Sequence, residues 1–472
     1  MATLIIQKLS TFRNRIKKIF NYSKEATMNL IDAIAGLKTA DSIVKISLSS
    51  LFFRNHGNIF YVIKRLFWGK SIGLTDDQKK VPENRGKELS EVLMEYCPIP
   101  STRSFLLFAT DSTPQPRMFA EKLEDRKMVY SPNKVAGIPV TIGHEYSLLA
   151  SLPEGESKWV YPISVQRVPS HFTGPKVGAK QIREIAESKS FQEHLLVNVC
   201  DTAYSINPYI KEVEKLKNVV TIARLRSNRV LNRNPRIHSE QRKGRPQRYG
   251  EKLCLKDPSQ ADEEVILIRK TKKGHELKVQ VERWKNIFSK GKEQCAPFDT
   301  LRIRVWDKEG NAVYKKALWL AIIGERRLEL TLEEILDAYL KRFDLENFFR
   351  FSKKNLLIDK FQTPEVEHEE NWWWLCMVSY LMLYMAKSLA EGLSYPWEKK
   401  GVKKKEELTP SQVQREYERI IRQTGLESAF PKRRGKSSGR KKGQKTKGRS
   451  KHPVIKKSRS KIKKLKKAAK AA

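Results

Sequence analysis

Hydrophobic and polar positions along the chain change their period several times. Residues 1 to about 95 space their apolar residues three and four apart. "STFRNRIKKIF", "TMNLIDAIAGL" and "SLFFRNHGNIFYVIKRLF" each set a basic face against an apolar one, which predicts amphipathic helices. From residue 100 the apolar positions close up into short runs, the pattern of strands buried on both faces. "SFLLFATD" ends in Asp111, and "GIPVTIGHEYSLLASL" and "KWVYPISVQRV" follow as two further strands. "GAKQIREIAESKSFQEH" returns to helical spacing. "LLVNVCD" is another buried run, ending in Asp201. "NPYIKEVEKL" reads as a short helix with Asn207 as N-cap and Pro208 in its first turn, and "NVVTIARL" as a fifth strand. The predicted order is β-β-β-α-β-α-β.

An Arg-dense, turn-rich stretch, "RLRSNRVLNRNPRIHSEQRKGRPQRYG", then interrupts the pattern. Alternating strands "EVILIRKTK", "ELKVQVERW" and "LRIRVWD" follow, with "KKALWLAII" as one more. A helix over about 331–355 and an apolar helix over 372–390 come next. The run "WWWLCMVSYLMLYMA" has fifteen residues before Lys387, short of the ~20 a membrane span needs, so it predicts a buried helix. The division expected is a helical N-terminal domain (1–95, with possible DNA-end binding) and a first part of a catalytic core (100–225). A basic β-rich insertion (226–320) separates this from the second part of the core (321–395). A helical linker (396–430) and a disordered basic tail (431–472) complete the chain. The class expected is α/β: this element order would build a ribonuclease H-like domain interrupted by an insertion.

Charge narrows the partner. The net charge is +40, and half of it lies in residues 431–472, which hold 20 Lys and Arg and no acid. Such a segment buries no apolar area and is expected to be disordered. The remaining body is still strongly basic, which favours a polyanion, nucleic acid first and an anionic membrane surface second. Cys97, Cys200, Cys254, Cys295 and Cys376 form no CxxC pair, so neither a disulfide framework nor a zinc ribbon is predicted, and a reducing cytosol is expected. No Walker loop or nucleophile elbow appears, leaving ATP and acyl chemistry without support.

The late helix carries the sharpest chemistry. Counting from Tyr339, Arg342 falls at about 300°, Glu346 at about 340° and Lys353 at about 320° around the helix axis. Phe343, Phe348, Phe349 and Phe351 take much of the remaining circumference. The pattern is a largely buried helix with one polar strip. An exposed Arg342–Glu346 pair at i, i+4 is the plainer alternative, worth a few tenths of a kcal/mol, but it leaves Tyr339 and Lys353 unexplained. The predicted strand order builds a ribonuclease H-like sheet in which the first and fourth strands are neighbours. Asp111 and Asp201 then lie side by side, and Glu346 becomes a third carboxylate. Hard oxygen ligands of this kind suit Mg²⁺ or Mn²⁺. Two such ions about 4 Å apart serve phosphodiester displacement.

The spacing Y-x2-R-x3-E-x6-K, met by Tyr339, Arg342, Glu346 and Lys353, resembles the signature of a large group of bacterial insertion-sequence transposases of the DDE type. "ATDSTP" around Asp111 and "VCDTAYS" around Asp201 are similar to that group's first two acidic motifs, and "RLRSNRVL" with "GRPQRYG" to its basic insertion segment. The resemblance covers about 100–390 and implies several roles. Asp111, Asp201 and Glu346 would be catalytic and ligate two Mg²⁺ or Mn²⁺ ions. Tyr339, Arg342 and Lys353 would hold phosphates near the cleaved terminus. Arg224, Arg226, Arg229, Arg245 and Arg248 would contact element ends. The implied activity is DNA cleavage followed by strand transfer, on double-stranded DNA bearing terminal inverted repeats and on target DNA. A homo-oligomeric synaptic complex in the bacterial nucleoid is implied, with no membrane partner. A nuclease that never joins ends, and a decayed DNA-binding relative, are the alternatives. Glu365, Glu367, Glu369 and Glu370 compete with Glu346 for the third ligand position but lack the flanking Tyr and Arg. His144, Trp284 and Trp306 are read as core residues of strands.

Overall fold

The computed structural model describes residues 2–67, 86–135, 138–155, 157–234, 249–271, 274–290, 295–392, 407–435, 439, 442–445 and 448–456. Among them a ten-stranded sheet organises the molecule. Its centre is β1 (Leu106–Pro116), β5 (Leu196–Cys200) and β6 (Val219–Leu225), paired parallel in that order. β5 and β6 are largely apolar, as is β1 over Leu106–Ala109, because both faces are covered there. Helix α5 (Gly174–Ala186) packs on β1 and β3 (Ile138–Ser151), while α7 (Leu332–Lys341) packs on β5 and α8 (Phe343–Asn355) on β1. Gly178 makes the first contact possible: a Cβ there would lie 2.8 Å from both Thr110 Cγ2 and the Tyr204 ring. On one side of β1 the sheet continues antiparallel through β3 to β4 (Tyr161–Arg167) and β2 (Lys127–Val135). This mixed α/β arrangement fits a ribonuclease H-like DDE domain, with the predicted first and fourth strands adjacent as β1 and β5.

The strands expected to form a β-rich insertion extend the same sheet. β12 (Leu318–Ile323) pairs antiparallel with β6, and β11 (Phe298–Trp306), β10 (Glu276–Ile287) and β9 (Glu263–Lys270) follow outward. Between β6 and β9, short strands β7 (Val230–Asn232) and β8 (Lys252–Cys254) form a separate pair.

The apolar run at 372–386 belongs to α9 (Val366–Gly392), which is buried on nearly every side. No helix among the described residues is long and apolar enough to cross a membrane. Helices α1 (Ala2–Ile19), α2 (Lys24–Ala35), α3 (His56–Arg65) and α10 (Pro410–Arg422) pack on α9, and α4 (Lys87–Glu95) leads from this helical layer to the sheet. Asp32, fully buried, accepts from Arg13 Nη2 at 2.8 Å and from the Tyr417 hydroxyl at 2.9 Å, tying α1, α2 and α10 together.

Three expectations need correction. A strand, β2, occupies "KMVYSPNKV", where Pro132 and the lysines break the apolar signal. The helix expected over about 331–355 is two helices meeting at Arg342, whose backbone stays right-handed helical (φ −52°, ψ −31°). The tail expected to be disordered contains one segment that the fold holds in place. Residues 449–455 run beside the start of β2, with Ile455 N donating to Arg126 O and His452 N to Glu121 O, both at 2.8 Å. Arg449 pairs with Glu365 and Lys451 with Glu121, so local acids hold a segment whose composition alone predicts none of this.

Candidate active site

The parallel pairing of β1 with β5 stops at Thr110 opposite Cys200. The next residues, Asp111 and Asp201, therefore sit side by side where the parallel pairing gives out, a place where open α/β sheets put ligands. Asp201 follows the end of β5, but Asp111 does not end its strand as the sequence predicts, since β1 runs on to Pro116 against β3. Along β1 side chains alternate, so Thr110 meets α5 and Asp111 turns to the opposite face, under α8. Each aspartate is oriented by its own backbone. Asp111 Oδ1 accepts from Ser112 N and Asp201 Oδ1 from Ala203 N, both at 2.8 Å. Burial, then the charge of Asp201 and more weakly that of Glu346, pushes the Asp111 carboxyl up to about 7, against the pull of Arg342 and the Ser112 N–H.

Helices α7 and α8 bring the polar strip over this pair. A capping box starts α7: Thr331 Oγ1 accepts from Glu334 N, and Glu334 Oε2 accepts from Thr331 N. Phe348, Phe349 and Phe351 are buried and fix the roll of α8. Arg342, at the junction, donates to Glu346 Oε1 at 2.7 Å and to Asp111 Oδ2 at 3.4 Å. Lys353 donates to Thr113 Oγ1 at 2.7 Å; Thr113, two residues beyond Asp111, shares its face of β1. Burial lowers the Lys353 ammonium, partly offset by Asp359 and Asp111. Burial raises the Tyr339 hydroxyl, which Arg342 and Arg224 draw back. Tyr339, Arg342, Glu346 and Lys353 thus surround the strand ends, with Arg224 beside them.

The donor set is suited to a divalent cation. Two carboxylates of neighbouring strands lie together, one of them held well above the usual carboxylate range. The buried Tyr204 hydroxyl close by finds no hydrogen-bond partner among the described residues. A cation would relieve both the repulsion and the burial cost. Glu346 is engaged by Arg342, and no three metal-competent side chains among the described residues converge on one point.

The remaining predicted residues divide clearly. Arg226 and Arg229 sit in the turn after β6, where burial and then the charge of Arg226 lower Arg229. Arg245 and Arg248 lie outside the described residues. Glu369 and His144 are fully buried and bonded to each other, and Trp284 is core, its Nε1 donating to Ser259 O at 3.0 Å. Trp306 is half-buried, with Arg304 over its ring. Sequence reasoning did not find the groove beside α8. Lys38, Lys158, Arg350, Lys354 and Arg415 line this groove of about 600 Å³, over a floor that includes Phe351. Arg350 and Lys354 follow Glu346 at helical spacing, a signal visible in the sequence; Lys38, Lys158 and Arg415 arrive from three other segments.

Residues 86–290 match the family model described as DDE superfamily endonuclease. The match supports a DDE transposase-type domain, and with it nuclease or transposase activity on DNA. It contains Asp111 and Asp201 and ends before α8. Domains of this kind generally use divalent metals. Comparison with curated proteins gave no match.

Proposed function

We propose that this protein is a DNA transposase of the Y-x2-R-x3-E-x6-K group, which cuts the ends of an insertion element and joins them to target DNA. The observation that carries the reading is the meeting of Asp111 and Asp201 with the Arg342–Glu346–Lys353 strip. In this reading Asp111, Asp201 and Glu346 hold two Mg²⁺ or Mn²⁺ ions, which when bound polarise the attacking oxygen and offset charge on the leaving one. The chain's own part is binding and positioning. Arg342 is pre-aligned between two carboxylates and exchanges them for a phosphate, to which guanidinium geometry is matched. Lys353 supplies a second cation on the same face, and Tyr339 a hydroxyl. The 3′-hydroxyl freed by hydrolysis would then be the nucleophile for joining. Arg224, Arg226, Arg229, Arg245 and Arg248, with the groove beside α8, would carry flanking duplex. The helical layer and the insertion would bind element ends, and two ends would require more than one copy.

A labelled duplex containing the DNA that flanks the gene tests this directly. Wild type should cut at the element boundary and yield joined products in Mg²⁺ but not in EDTA. Glu346→Gln should lose at least about 10²-fold in cleavage rate while retaining binding, because it removes a ligand and no basic charge. Cuts without any joined product would favour a nuclease, the reading that the endonuclease description also allows. Binding without cleavage in both proteins would overturn the proposal.

A further inference from the structure

Among the described residues strand β9, Glu263–Lys270, ends the large sheet, and its register with β10 runs without a bulge. Monomeric proteins shield such edges with proline, bulges or inward charges. This edge has no proline or bulge, and its centre is apolar: Val265, Ile266 and Ile268 are 36%, 51% and 65% exposed. One face is occupied, since Arg269 pairs with Glu333 and Asp337 of α7. On the other face Glu264, Ile266, Ile268 and Lys270 all reach solvent, and the first three line, with Trp306, a shallow hollow whose rim includes Lys278.

That open face reads acid, isoleucine, isoleucine, base, a row complementary to its own reverse. We propose that β9 pairs antiparallel with β9 of a second copy about a two-fold axis at Leu267. An axis perpendicular to the sheet keeps each face on its own side, so opposed residues must share a face and the axis must pass through a residue. Centred on Leu267, Glu264 meets the partner strand's lysine, Ile266 meets Ile268, and Leu267 meets itself. Centring on Ile266 would instead set Glu264 against isoleucine. Directly opposed pairs of this kind favour the match, and like charges there oppose it. The contact is isologous, and because it consumes the free edge it closes at two copies. It does not depend on the catalytic reading.

Sedimentation of the nucleic-acid-free full chain reads the outcome. Wild type should sediment as a dimer. Lys270→Glu opposes two glutamates twice across the axis, and Glu264→Lys opposes two lysines, so each should weaken dimerisation at least about ten-fold. An equimolar mixture of the two variants should regain the dimer, since each supplies the charge the other lacks. Both positions are exposed: Glu264 accepts from Gln280 at 2.6 Å and Lys270 lies 3.9 Å from Glu276. At concentrations low enough for wild type to be monomeric, melting curves should therefore match, while at dimer concentrations wild type should melt higher. A monomeric wild type, a dimer indifferent to both substitutions, or a mixture no tighter than either variant alone would overturn the proposal.

Discussion

Asp111→Asn should abolish cation-dependent cleavage and, at the same time, make the cation-free protein more stable at neutral and alkaline pH. Both effects follow from one carboxyl. In the folded chain burial, Asp201 and Glu346 raise it from the ordinary 3.8 to about 7. Between those values the folded state keeps a proton that the unfolded chain gives up. The stabilisation is complete below about pH 4 and is lost as pH rises through about 7. Above pH 7 the ionised group costs at most about 4 kcal/mol, a ceiling because its side chain keeps 19% of its surface in water. Asparagine is neutral at every pH and escapes this cost.

Denaturant titrations of both proteins check this. Their stability difference should widen in favour of the variant from about pH 4 to pH 8 in EDTA. Added Mg²⁺ or Mn²⁺ should stabilise wild type and leave the variant nearly unchanged, since only a ligand of the folded state shifts the balance. A difference independent of pH would remove Asp111 from the role of buried acid. A wild type indifferent to both ions would remove the cation site, whatever the fate of the cleavage assay.

The readable parts of this site are those written in local periods. Asp111 and Asp201 stand out because each ends a buried apolar run. The run places Asp201 correctly at a strand end, but it hides the further five residues over which β1 continues past Asp111 against β3. The strip on α7 and α8 is visible because Arg342, Glu346 and Lys353 repeat near 3.6 residues while phenylalanines fill the rest. The junction at Arg342 is not visible, since no glycine or proline marks it. Pairings between distant segments are equally hidden. Nothing in "KKALWLAII" announces that β12 will close against β6 rather than begin a separate sheet. Nor does composition reveal that Lys451 will meet Glu121. Tail residues that read as uniformly basic are sorted only by the acids the fold presents to them.

Glu369→Ala should be the most destabilising of the substitutions considered, at about 3–5 kcal/mol, because it leaves charged partners buried without their counter-ion. The carboxylate is fully buried at the start of α9. Its Oε2 accepts from Arg117 Nε at 2.7 Å, and its Oε1 from the Tyr146 hydroxyl at 3.0 Å, with His144 Nδ1 at 2.8 Å. Tyr146 in turn stacks on Trp373 at 4.2 Å between ring centroids, so the acid locks α9 to β3 and to Arg117, the residue that follows β1. Burial alone would raise this carboxyl, but His144 and Arg117 outweigh it and hold it below its ordinary value. Its contribution is therefore present above the ordinary range of a glutamate and is lost as pH falls through the depressed value. Glu365→Ala, four residues earlier, removes only a half-exposed partner of Arg449 and should change stability by less than about 0.5 kcal/mol. The contrast separates this acid from those proposed to hold the metal ions. Glu369 is as close in sequence to α8 as its neighbours and as acidic as Glu346, yet every oxygen it has is committed to the scaffold. Denaturant midpoints for the two variants, with and without Mg²⁺, would decide the matter. A mild loss for Glu369→Ala, or a loss of the cation's stabilising effect in a protein that remains folded, would return it to contention as a ligand.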